Sequence, residues 1–124
     1  TDGQLTECPA SPKCVSTQAT PNDEEDYMAS ISFEGDIADT KERVLQVIQA
    51  TPRTHIVKQE TEENSAYIWV EYTTPVFRFT DDVEFYLDGS SNTIHFRSAS
   101  RLGHSDLGTN RQRMENFKNS YHKL

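Results

Sequence analysis

The chain has 124 residues, 34% of them hydrophobic and 26% charged, which suits one globular domain with one core rather than a disordered or multidomain protein. Its formal net charge of −8 argues against general affinity for nucleic acid or anionic lipid, since both need a basic footprint. No apolar run approaches the length of about 18 residues that a membrane-spanning helix requires.

Residues 1–26 hold Gly3, the prolines Pro9, Pro12 and Pro21, and the acidic run Asp23-Glu24-Glu25-Asp26, and so read as a loop-like lead segment. A start at Thr1 rather than Met fits a processed or trimmed terminus. Cys8 and Cys14 are the only cysteines, and Pro9 and Pro12 stiffen the stretch between them. Their spacing predicts a local disulfide and, with it, an oxidising compartment outside the cytoplasm; an inert reduced pair is the alternative. Zinc is disfavoured, because there is no CxxC spacing and no neighbouring His.

From Tyr27 to Glu34 the residues Tyr27, Ala29, Ile31 and Phe33 alternate with Met28, Ser30, Ser32 and Glu34, which predicts a strand ended by Gly35-Asp36. Asp39 as N-cap, with Glu42 three residues on, then opens a helix of about 12 residues that buries Val44, Leu45, Val47 and Ile48 and stops at Pro52. Thr54 to Lys58 reads as a second strand and Ala66 to Tyr72 as a third, with the polar run from Glu60 to Asn64 as the turn between them. Val76 to Leu87 continues in extended form, with Phe77 and Phe79 before an apparent register change at Asp81-Asp82 and Val83, Phe85 and Leu87 after it, so a bulge or bend is expected there. Asp88 to Asn92 is a hairpin connection to a strand carrying Ile94, Phe96 and Ser98. Thr109 and Gln112 form a T-x-x-Q capping box for a last helix burying Met114, Phe117, Tyr121 and Leu124. The order β-α-β-β-β-β-α predicts an α+β domain over residues 27–124, in which an antiparallel sheet of about five strands carries both helices on one face.

Three stretches carry a family resemblance: Cys8-Pro9-Ala10-Ser11-Pro12-Lys13-Cys14-Val15-Ser16, Asp81-Asp82-Val83-Glu84-Phe85, and Arg97-Ser98-Ala99-Ser100-Arg101-Leu102-Gly103 running into Ser105-Asp106-Leu107-Gly108-Thr109-Asn110-Arg111. Over nearly its whole length the chain resembles the bacterial, cyanobacterial and plastid domain-of-unknown-function family 1499. Lys13, in place of the usual Asn, and Thr109, in place of a small apolar residue, depart from the family pattern without touching the charges. The resemblance implies export or a lipoprotein signal, a lumenal site in plastids and a photosynthetic source, and it implies no activity.

The charge distribution marks the candidate site. Within residues 97–113, Arg97, Arg101, Arg111 and Arg113 stand against Asp106 alone, a net +3, while the rest of the chain carries −11. With Ser98, Ser100 and Asn110 they form a strand-loop-helix corner in which a helix start flanked by guanidinium forks is competent to hold a carboxylate, a phosphate or an acidic partner. The competing reading is internal: Asp81, Asp82 and Glu84 neutralise these arginines in an ion-pair network. A carrier of a small apolar molecule would use Tyr67, Trp69, Phe77 and Phe79, although such aromatics are more often core. A metal-dependent hydrolase would recruit Asp81, Asp82, His95, His104 and Asp106, and only His104-x-Asp106 has tight ligand spacing. The run Asp23 to Asp26 reads as a solvated loop before an acidic docking patch. The expected function is a non-catalytic accessory or binding domain of the cell envelope, cell surface, periplasm or thylakoid lumen. It would dock through the arginine-rich corner on a larger protein complex, a membrane-embedded photosynthetic one included, with no cofactor, metal or nucleic acid.

Overall fold

The computed structural model describes residues 3–124, so the first two positions of the lead segment lie outside the described residues. In chain order the elements are β1 (Cys14–Ser16), β2 (Ile31–Ser32), α1 (Ile37–Ala50), β3 (Thr54–Glu62), β4 (Ser65–Thr73), β5 (Thr80–Asp88), β6 (Thr93–Ser100) and α2 (Thr109–His122). The α+β architecture and the element order from β2 onward are as expected. The sheet is antiparallel, runs β1-β6-β5-β4-β3, and reaches six strands because β2 also pairs with β6.

The sixth strand comes from the lead segment. Val15 pairs with Ser98 across β1 and β6, and both are buried. This also explains why the strand expected over residues 27–34 shrinks to two residues. β1 occupies the β6 edge along Arg97–Ala99, leaving Thr93 and Ile94 for Ser32 and Ile31, and Tyr27 makes only an isolated bridge to Ser16.

Strand alternation sorts the sheet into two faces. On the inner face Ile68, Phe85 and Phe96 stand side by side, as do Ala66, Leu87 and Ile94. Val44, Leu45, Val47 and Ile48 of α1 and Met114, Phe117 and Tyr121 of α2 close over them. The ring of Phe117 lies 4.7 Å from that of Phe85. Leu124 does not join this stripe; the helix ends at His122 and leaves Leu124 48% exposed.

Three local expectations change. Asp36, not Asp39, caps α1: its carboxylate accepts from the Asp39 N–H at 2.8 Å, because burying Ile37 and Thr40 starts the helix earlier. No bulge interrupts Asp81-Asp82, since β4 and β5 pair in unbroken register from Ser65↔Asp88 to Thr73↔Thr80. Asp81 occupies the same inner face as Val83 and Phe85, so a buried charge looked like a break in an apolar pattern. The irregularity lies instead in β3, between Ile56 and Lys58. Finally, residues 74–79 form a turn rather than strand, and Phe77 and Phe79 stack on each other at 5.6 Å while 75% and 47% exposed.

The outer face is crossed by the lead segment. Leu5 is buried there, the Leu5 N–H donates to Gln18 Oε1 at 2.8 Å, and Gln18 Nε2 donates to the Gly3 carbonyl at 2.8 Å. Gly3, at φ +88°, lies so close to the Tyr86 ring that a Cβ would sit 3.3 Å from it. The Cys8–Cys14 disulfide, with 5.6 Å between Cα atoms, ties this strap to β1. Closing so short a loop contributes about 2 kcal/mol by the chain-entropy estimate. Reduction, or Cys8→Ser with Cys14→Ser, should lower stability by that amount, and amide exchange should quicken at Leu5 before it does in β4 or β5.

Candidate functional site

The same alternation that builds the core divides the four arginines. Arg97 of β6 and Arg101, the residue after it, leave the outer face of the sheet, Ser98 and Ser100 the inner face, and α2 returns Arg113 to the inner side. They are therefore not one cationic patch.

Each guanidinium is held within the molecule. Arg113 Nη2 meets Asp81 Oδ2 at 2.7 Å, with side chains 13% and 2% exposed, and its plane lies over the Tyr72 ring at 5.0 Å. Burial under this pair pushes the Tyr72 phenol up to about 12. Arg113 Nη1 also donates to Asn110 Oδ1 at 2.7 Å. Arg111 Nη2 donates to the carbonyls of Glu24, Glu25 and Tyr27 at 3.2, 3.0 and 3.0 Å, so it pins the backbone of the acidic run rather than its carboxylates. Arg97 Nη1 lies 3.5 Å from Glu84 Oε1, which forms part of a buried set with the Tyr67 hydroxyl donating to Glu84 Oε2 at 2.6 Å. Arg101 grips Asp82 and Glu71 at 2.8 and 2.7 Å from a half-exposed position, and Trp69 Nε1 donates to Asp82 at 2.9 Å.

Asn110 is the junction of the inner side. It is fully buried, accepts from Ser98 Oγ at 2.6 Å, and directs Nδ2 at Asp106 Oδ2, Ser100 Oγ and the Lys13 carbonyl, 2.7, 2.9 and 3.1 Å away. Asp106 completes the start of α2 by accepting from the Gly108 and Asn110 N–H groups at 2.9 and 3.1 Å. The Thr109–Gln112 capping box does not form: the N-cap is Gly108, at φ 83°, and Gln112 donates to Asn116 instead. A carboxylate two residues upstream takes over that role.

Two carboxylates carry the pH dependence of this corner. The hydrogen bond from Arg101, ahead of that from Trp69, holds Asp82 below the usual carboxylate range against desolvation. For Asp106, desolvation is the largest influence and acts upward, but hydrogen bonds from Asn110 and Gly108 together outweigh it and hold the group low. A carboxylate with a depressed folded pKa stabilises above its unfolded value and loses that contribution as pH falls through the folded value. Stability should therefore decline as pH drops below about 4, with a shallower decline in Asp82→Asn than in the parent. Arg101→Ala, at a half-exposed pair, should cost no more than about 1 kcal/mol, and Arg111→Ala about 1–2 kcal/mol, since the part-buried Tyr27 carbonyl loses its donor while the exposed Glu24 and Glu25 carbonyls turn to water; urea unfolding measures both.

The residues that remain available surround a cleft of about 950 Å³ at the end of the sheet where β4 turns into β5 and β6 leads to α2. Its floor is the Tyr72, Asp81, Ser100 and Arg113 group, and Val47 and Phe117 close the helix side. Its rims are the two loops. Val76 and Phe77 on one are 80% and 75% exposed, Leu102 and Leu107 on the other 68% and 94%. In the sequence Val76 and Phe77 read as part of an extended segment, and the signal for the other rim is the pairs Leu102-Gly103 and Leu107-Gly108, an apolar residue before a turn glycine. Trp69 and Tyr67 lie on the outer face and do not meet Phe77 and Phe79. His104 is exposed on the loop beside Asp106, whose carboxylate is already engaged, while His95 lies in β6 with Nδ1 2.9 Å from Thr17 Oγ1. Among the described residues no group of three or more His, Cys, Asp or Glu side chains could hold a metal ion, and no helix is long and apolar enough to cross a membrane.

Fold and cleft together describe an antiparallel α+β domain with two exposed apolar loops at one end of its sheet and its corner arginines held by the protein's own acids and carbonyls. The family described as Protein of unknown function (DUF1499) matches residues 4–120, and the chain belongs to it. No curated protein and no solved structure matches the chain.

Proposed function

We propose that this chain is a non-catalytic accessory domain, working in an oxidising compartment such as the cell envelope or thylakoid lumen, that docks through the corner where β6 passes to α2. Ser100, Arg101, Asp106, Asn110, Arg111 and Arg113 shape that corner, and the contact itself is made by the apolar rims of the cleft. One observation carries the reading. Five of the seven large hydrophobic side chains that are exposed among the described residues, namely Val76, Phe77, Phe79, Leu102 and Leu107, cluster on these two loops, and exposed apolar patches on otherwise polar surfaces mark interaction sites. An anion-binding role for the arginines is less well supported, because a ligand would have to displace the protein's own carboxylates and carbonyls. The disulfide supports the compartment.

A carrier of a small apolar molecule is the second reading, favoured by a cleft volume within the range of ligand sites. The docking reading is tested with a dye that fluoresces on apolar surfaces. The folded protein should bind it, and Phe77→Ser with Leu107→Ser should remove most of the signal without changing the circular dichroism. Equal dye binding by parent and variant would mean that these loops are not the apolar surface.

A further inference from the structure

The distribution of polarity around the cleft says more than its volume. The interior of the cleft is mixed, with Val47, Tyr72 and Phe117 beside the Asp81–Arg113 pair, whereas the most exposed apolar groups, Val76, Phe77, Leu102 and Leu107, stand at the outer tips. Leu107 is 94% exposed at φ 54°, and Arg78, between Phe77 and Phe79, has φ 59°. Both backbones are in the left-handed region, which side chains other than glycine avoid, so each loop maintains an unfavourable conformation that turns its tip outward.

Charge distinguishes this end from the rest of the molecule. Residues 51–53, 74–79 and 101–108 carry Arg53, Arg78, Arg101 and one acid, Asp106. Asp106 is engaged with the start of α2, and Arg101 is spent on Asp82 and Glu71. Arg53 and Arg78, both exposed, are left beside the apolar tips; Arg53 lines the cleft and donates through Nε to the Thr73 carbonyl, leaving the outer edge of its fork open. The acidic run Asp23–Asp26 lies on the flank, where Arg111 holds its backbone.

From this arrangement, and resting on the docking reading above, we infer that the surface docked is the interface of a phospholipid bilayer. The five apolar tips enter the acyl boundary, and Arg53 and Arg78 meet lipid phosphates with their stems along the apolar layer. The acidic body stays in water, since docking is end-on. Apolar insertion provides the affinity and the two arginines orient it, so a strongly anionic membrane is not required.

The test is co-sedimentation with phosphatidylcholine vesicles, with and without a minority of phosphatidylglycerol. The parent should partition onto both, and Phe77→Ser with Leu107→Ser should weaken partitioning by at least about tenfold. Arg53→Glu with Arg78→Glu should abolish the gain from phosphatidylglycerol and leave the dye signal intact. Three outcomes overturn the inference: no vesicle binding by a parent that still binds the dye, which leaves the docking reading standing with a protein partner; a lipid held one-to-one in native mass spectrometry with no vesicle binding, which favours the carrier; and equal vesicle binding by parent and serine variant. A fourth outcome, a parent that binds neither dye nor vesicles, ends both this inference and the docking reading.

Discussion

Arg113→Ala should destabilise the protein by about 3–5 kcal/mol, the cost of removing one partner from a buried ion pair. The loss is large because of what remains. Asp81 is 2% exposed, and Arg113 Nη2 is its partner at 2.7 Å. Without it a carboxylate stays beneath α2, with Val83 and Phe85 further along the same face of β5. The companion variant separates this account from lost packing alone. Replacing both residues, Asp81→Leu with Arg113→Met, should recover most of the deficit, since buried pairs replaced by apolar side chains are often neutral. Urea unfolding of Asp81→Leu, Arg113→Met and the double closes the cycle. A double variant as unstable as the worse single would show that packing around Tyr72, not the stranded charge, sets the cost.

Asn110→Ala should have the next largest effect, roughly 3 kcal/mol, the upper end for losing one buried hydrogen-bonding group. No bulk solvent can compensate, because Asn110 is 0% exposed. Its removal takes a partner from Ser98 Oγ, Arg113 Nη1, the Lys13 carbonyl and Asp106 in one step, leaving Ser98 Oγ and Arg113 Nη1 only each other at 3.2 Å and the Lys13 carbonyl only the Ser100 N–H. The consequence reaches the cleft. Lys13 leads into β1, Ser98 and Ser100 belong to β6, and Asp106 sets the start of α2, so one side chain fixes the distance between three segments. Amide exchange should accelerate around Asp106 and Leu107 before β4 or β5 is affected, and apolar-dye binding should fall even at temperatures where the fold persists. Uniform acceleration across the sheet would show that Asn110 supports the fold as a whole and not this corner.

Much of the frame was legible because its signals are local. The alternation Ile68/Val70, Val83/Phe85/Leu87 and Ile94/Phe96 marks strands wherever they pair, and the spacing of Val44, Leu45, Val47 and Ile48 marks a helical face. What failed did so for long-range reasons. The strand at Cys14–Ser16 is too short to have a period and exists only because β6 offers it an edge. The Asp81 position looked like an interruption because its partner, Arg113, is 32 residues away in the chain. Residues 76–79 had a strand pattern but no neighbouring strand to pair with.

The candidate site divides the same way. By itself the sequence determined which residue types gather near the β6–α2 junction, that cations outnumber acids there, and that Cys8 and Cys14 lie within reach of each other. Tertiary structure decided where each charge points. Alternation along β6 and into the residue after it sends Arg97 and Arg101 to one face, the turn of α2 sends Arg113 to the other, and each meets a carboxylate of β5 while Arg111 meets carbonyls of the lead segment. A guanidinium without partners is costly away from water, so the fold consumed the charges that the sequence displayed and left the apolar loop tips, which composition could not distinguish from core, facing the solvent.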